Sequence, residues 1–334
     1  MFGVSFVPPV GSSPCSALTG RKRFNLVVPR RWLPICLFLV LTTAGTARSA
    51  EEAFASRTLA PDPAWQATSG AFAVTEDRPS ALAANPAGAT AISIPTAAFS
   101  HLQWAAGLSR EWAALTAPLG SRLGIGADVG LLRGAALDGF DEAGNSTGTF
   151  SPTEWDAGAS LGAKLGRGMG IGVGARYFRL EDPTEPLTSV GLSFGLRWTT
   201  GSRSVGASVT DLGTTSDDRY ALPTRYRVGA EQWISSFLRV GVGAEMGLGS
   251  LVAVGAEFHP TPWLSLLGGL GSESGEGGRG VHWSTGLSLE RSGIRGSYAF
   301  ILDEELGDRH QIGFDLPLRR NDGGWNRTSP GQTP

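Results

Sequence analysis

The feature that most restricts this chain is a line it writes repeatedly between Ser93 and Leu318. Apolar residues alternate with glycine or polar groups, and then the pattern breaks. In the stretch from Val281 to Glu290 the odd positions hold apolar residues or Thr, and the even positions hold polar, charged or Gly residues. Strand side chains alternate between faces, so each such segment has one apolar and one wet side. A single segment would fit a soluble sandwich as well. Repetition through most of the chain, behind an export signal, points instead to a transmembrane β-barrel.

Period-2 segments run over 93–100, 106–118, 122–133, 154–165, 168–181, 188–199 and 203–212. They continue over 223–233, 238–246, 251–258, 263–271, 280–290, 294–302 and 309–318. That makes about fourteen strands, an even number as bacterial outer-membrane barrels have. The connections tend to alternate short and long. Short ones hold Leu119-Gly120-Ser121, Gly166-Arg167-Gly168, Thr200-Gly201-Ser202 and Ser292-Gly293. Longer ones span 134–153, 182–187, 213–222, 272–279 and 303–308, all on the outer side if the N-terminus is periplasmic. Two expected outer loops, 101–105 and 247–250, are short. No run after the leader approaches the length of a helical span.

Residues 1–50 are expected to be an export signal. Arg21, Lys22, Arg23, Arg30 and Arg31 precede an apolar stretch from Leu33 to Ala44, followed by small residues. Cleavage after Ala47 or after Ala50 both fit. Its removal takes six basic and no acidic residues, leaving 22 against 30 and a formal net charge of −8. No basic patch remains for nucleic acid. Cys15 and Cys36 go with the leader, so the exported chain carries no cysteine into an oxidising compartment.

The faces sort by chemistry. One carries Leu161, Ile171, Val173, Leu192, Phe194, Val240, Val242, Val254, Phe258, Ile312 and Phe314, with Trp155, Trp198, Trp233 and Trp263 near strand ends as an aromatic girdle. The other carries Asp128, Asp156, Lys164, Arg176, Arg197, Arg239, Glu245, Glu257, His282, Glu290, Arg295 and Asp315, interleaved with Gly and Ser. An Arg or Lys facing lipid at mid-bilayer would cost on the order of 2–4 kcal/mol, so these charges are expected to face the lumen. Mixed signs suggest ion pairs across a filled lumen more than an ion-selective pore. His282 and Glu290 share this face and are expected to pair. Residues 51–92 break the pattern with Pro61, Pro63, Pro79 and Pro86, and read as a plug for the lumen or as a periplasmic linker. Residues 319–334 read as a disordered tail.

Motifs of chemistry fail on context. Gly158-Ala159-Ser160-Leu161-Gly162 and Gly191-Leu192-Ser193-Phe194-Gly195 match G-x-S-x-G but lie mid-strand, not on a strand-to-helix turn. Gly275 to Gly280 matches G-x-G-x-x-G by letter but leads into a strand. Asp138, Asp141, Glu142 and Asn145 crowd one loop without EF-hand spacing. No enzyme activity and no cofactor are expected.

Gly70 to Val74 together with Ala81-Leu82-Ala83-Ala84-Asn85-Pro86-Ala87-Gly88 resembles the N-terminal segment of the PorV/PorQ family of barrels, within the wider FadL-like class. The likeness continues at Phe99 to Trp104, Gly139 to Phe150, Ser208 to Gly213, Leu222-Pro223, Ser297 to Phe300 and Leu306 to Ile312. It implies a fourteen-stranded barrel with an N-terminal segment tucked inside and a turn at Asn85, Pro86, Ala87 and Gly88. Family members commonly close the last strand on an aromatic residue, whereas Leu318 stands here.

The expected fold is an all-β, antiparallel up-and-down barrel in the outer membrane, with domains 51–92 and 93–318 after the leader. The resemblance implies a structural role in type IX-like secretion, with machinery or exported cargo as partners beside outer-membrane lipids. The wider class implies the alternative, a passive channel for hydrophobic small molecules.

Overall fold

The computed structural model describes residues 51–318 except 142, 182–184, 248, 276–277 and 303–306. The expected leader and tail, and Glu142, lie outside the described residues. Fourteen strands close into one barrel. They are β1 (Thr96–Gln103), β2 (Ser109–Leu119), β3 (Leu123–Arg133), β4 (Thr153–Gly166), β5 (Met169–Glu181), β6 (Leu187–Thr200) and β7 (Arg203–Thr215). The second half is β8 (Arg225–Ser235), β9 (Leu238–Met246), β10 (Ser250–Thr261), β11 (Leu264–Gly275), β12 (Gly278–Arg291), β13 (Ile294–Leu302) and β14 (Arg309–Pro317). Each strand pairs antiparallel with its sequence neighbours, and β14 returns to β1 with Phe314 opposite Phe99.

The tight connections gather at one end. Gly120 and Gly293 take φ of +68° and +82° there, a left-handed turn geometry that a side chain would disfavour. The opposite end carries the longer loops, one of which folds into a hairpin of Leu137–Phe140 and Ser146–Phe150.

Alternation decides which face meets lipid. Val242 in β9 is 52% exposed, while Arg239 on the same strand is buried. Val242→Arg is expected to destabilise the barrel by about 2–4 kcal/mol, read as a lower urea midpoint for folding into lipid vesicles. Val242→Leu is expected to fold as the parent does. Equal midpoints for the two would show that this face does not meet lipid. Gly243 faces the lumen by parity, and a Cβ there would lie 3.1 Å from the Gly70 carbonyl oxygen and 3.2 Å from that of Ala71, so Gly243→Ser requires the inner segment to give by a few tenths of an ångström.

Trp198 and Trp263 are exposed at the tight-turn end, and Trp155 packs on Tyr177 at the other. Trp233 corrects the girdle expectation. It stacks on His259 at 5.4 Å, inside the barrel, because odd positions of β8 share the inward face of Arg225, Arg227 and Glu231.

The inner segment, residues 53–92, lies against the inward faces of the strands. Four prolines keep it from forming a strand of its own. It forms two short helices, α1 (Pro63–Ala67) and α2 (Ala81–Ala84), and 3-10 turns at Ala55–Thr58 and Pro86–Ala91. Asp62 caps α1 by accepting from the Trp65 amide at 2.7 Å, with Pro63 at the first helical position. The segment starts at the long-loop end, where the Ala53 amide donates to the Ala221 carbonyl, and finishes among the tight turns before β1.

Candidate functional site

The lumen is the site, and the inner segment builds it in layers. At the long-loop end Ala53 and Phe54 pack with Phe178, Leu187 and Leu222 in a buried apolar cluster. The Phe54 and Phe178 rings stack at 5.2 Å. Phe54 holds a left-handed φ of 69°, which a residue with a Cβ adopts only under surrounding constraint.

An ionic layer follows. Arg57 pairs with Asp211 at 2.8 Å, and Asp211 sits on a bulge of β7 that turns its carboxylate inward. Arg225 and Arg227 both reach Glu245 at 2.7 Å. The Ser56 amide and hydroxyl donate to Glu154. Arg110 donates to the Leu59 carbonyl at 2.6 Å and reaches Asp156, which Arg176 also holds. Arg176 extends to Asp128 at 2.6 Å, and the Trp112 indole donates to the same carboxylate. A buried charge is tolerable only when paired and hydrogen-bonded, and each charged group of this layer has at least one such partner, although the Arg110 Nε is left without one.

The middle layer is small side chain against bare backbone. A Cβ on Gly195 would fall 1.9 Å from Asn85 Oδ1, and one on Gly206 would fall 2.3 Å from the Val74 carbonyl oxygen. Wall glycines are therefore the seat of the inner segment. Asn85, fully buried, donates to the carbonyls of Val74 at 2.9 Å and of Leu196 at 3.0 Å, while its Oδ1 accepts from the Ala87 amide. Pro86, Ala87 and Gly88 complete a turn that fastens the segment to β6. Leu82 and Ile92 supply buried apolar surface.

At the tight-turn end Arg239 holds three carboxylates: Glu231, Glu257 at 3.2 Å and Glu76 at 3.5 Å. Its guanidinium also lies 4.3 Å over the Phe72 ring. The Thr75 hydroxyl donates to Glu231 at 2.7 Å, and Arg197 donates to the Thr75 carbonyl. Below this clasp a cavity of about 690 Å³ opens, lined by Asp77, Arg78, Ile92, Trp233, Glu290, Arg295 and Asp315 among others.

Of the twelve charges read as lumenal, Asp128, Asp156 and Arg176 meet in one group, and Arg239 and Glu257 in another. Arg295 lies 2.8 Å from Glu290 and 3.9 Å from Asp315. Glu245 and Arg197 face the lumen with the partners given above. Lys164 shares the inward parity but is exposed at the rim. The expected pairing of His282 with Glu290 does not form: they stand eight positions apart on β12, and His282 lies 3.5 Å from Glu273 instead. Ser160 and Ser193 sit within β4 and β6. Asp141 spends its carboxylate on its own loop, accepting from the Asn145 side chain and the Asn145 and Ala143 amides, which hold it below the usual carboxylate range.

Sequence reading missed Glu76, Arg78 and Arg57, which sit on the inner segment where no period exists to assign a face. Arg110, Glu154, Asp211, Arg225, Arg227 and Glu231 were also missed. All of these but Asp211 obey the strand alternation and could have been found by it.

No family model and no curated protein matches this chain. Solved structures do. A Pseudomonas aeruginosa FadL homologue aligns over 77% of this chain and 98% of its own, at 11% identity and a TM-score of 0.58. The Ralstonia pickettii toluene transporter TbuX aligns over the same shares at 14% identity and a TM-score of 0.57. The monoaromatic hydrocarbon channel CymD aligns over 76% of this chain and 96% of its own, at 13% identity and a TM-score of 0.54. At such identities the likeness shows the fold alone: a closed fourteen-stranded antiparallel β-barrel of FadL-like architecture.

Proposed function

We propose that this protein is a passive outer-membrane channel for hydrophobic small molecules, with residues 51–92 as its plug. One observation carries the reading: a FadL-like barrel, similar in fold to hydrocarbon channels, whose lumen is occupied by its own N-terminal segment. The buried apolar cluster around Phe54 gives an apolar solute arriving from the long-loop side a first partner, and a solute replacing that ring would relieve its left-handed backbone.

The test is uptake of toluene by cells with an intact lipopolysaccharide layer, expressing this protein or an empty vector. Faster uptake with the protein than with the empty vector is expected. Uptake equal to the empty vector would overturn the channel reading. The secretion-associated, PorV/PorQ-like role is the second reading. It rests on the sequence resemblance alone, and exported cargo recovered with the purified barrel would favour it.

A further inference from the structure

The cavity at the tight-turn end carries more charge than an apolar solute needs, and the charge is one-sided. Glu76 and Asp77 enter it from the inner segment, and Glu231, Glu257, Glu290 and Asp315 from the strands. Against these six carboxylates stand three guanidiniums, a formal balance of −3. Each guanidinium is already held by carboxylates. Arg78 lies 3.5 Å from both Glu76 and Glu257, Arg239 bridges Glu76, Glu231 and Glu257, and Arg295 lies between Glu290 and Asp315. A solute carboxylate entering here would have to compete with protein carboxylates for each of these three cations. Asp77, the exposed carboxylate of the inner segment, would face it directly.

We infer that this vestibule is an electrostatic filter that admits uncharged apolar solutes and rejects carboxylate-bearing ones. The inference rests on the channel reading and narrows it: the solutes are neutral hydrocarbons or alcohols, not fatty-acid anions. Ile92, Ile94, Trp233 and Pro317 supply apolar surface in the same cavity. The neutral solute therefore finds contact where the anion finds repulsion. A cleft walled by protein focuses the field of its charges, so a net negative balance acts more strongly there than on an open surface.

The test compares three probes of equal chain length, octan-1-ol, octanoate and octylammonium, at about pH 8 where octanoate is ionised. Uptake is measured above the empty-vector rate in cells with an intact lipopolysaccharide layer. Octan-1-ol is expected to enter at least about tenfold faster than octanoate, and octylammonium to exceed octanoate by a similar factor. Asp77→Lys is expected to raise the ratio of octanoate to octan-1-ol uptake by about threefold or more, and Asp77→Asn by less. Heat-modifiable mobility on a gel confirms that both variants are folded barrels. Octan-1-ol and octanoate entering at equal rates above background would overturn the filter and leave the channel standing. An unchanged ratio in folded Asp77→Lys would overturn it too. No gain in uptake for any probe would overturn the channel reading, and the filter with it.

Discussion

Gly195→Leu is expected to lift the inner segment from the barrel wall while the barrel itself stays closed. The new Cβ would lie 1.9 Å from the Asn85 amide oxygen, which is poorly placed to yield because Asn85 is held by Val74, Ala87 and Leu196. Overpacking of a filled interior costs about 1–3 kcal/mol when neighbours can shift, and here the neighbour is the anchor itself. Losing the two bonds that Asn85 donates adds about 1 kcal/mol each. The barrel's own ladder is untouched, because β6 keeps its pairing with β5 and β7. Planar-bilayer recordings should then show large, frequent openings that the parent lacks, and a protease should cut within 74–90. Gly280→Leu is the control, since a Cβ there meets nothing within 4 Å. Conductance and protease protection equal to the parent's would mean that the segment is not seated on these glycines.

Arg239→Met is expected to be the most destabilising single change at the tight-turn end, by about 3–5 kcal/mol. Met keeps the aliphatic stem but ends short of the guanidinium nitrogens, so the charge and its hydrogen bonds are the main loss. What remains is Glu76, Glu231 and Glu257 around one point, all buried, with their shared cation gone. The urea midpoint for unfolding from lipid vesicles should fall accordingly. Adding Glu231→Gln and Glu76→Gln should recover much of the loss, because it removes the repulsion that the first change exposes. A fall below about 1 kcal/mol would show that water reaches these carboxylates and that the clasp is loose.

The strands were legible because their signal is local. The ranges 238–246 and 294–302 read from alternation are those of β9 and β13, and the others differ by a few residues at the ends. The faces were legible for the same reason, down to Val242 outside and Arg239 inside. Trp233 was misread because a Trp near a strand end fits a membrane girdle, and only its parity with Glu231 contradicts that. The His282–Glu290 pairing failed because a shared face says nothing about distance along the strand.

Alternation by itself therefore determined a barrel, its wet and lipid faces, and a wall of glycine left bare on the inside. What only the tertiary structure decided is who occupies that wall and which charges meet. Ser56 finds Glu154 98 residues away, and Arg78 finds Glu257 179 residues away. Such pairs depend on barrel closure, strand register and the path of a segment with no period of its own. Local periodicity fixes the direction of a side chain; its partner is set by the closed shape of the whole.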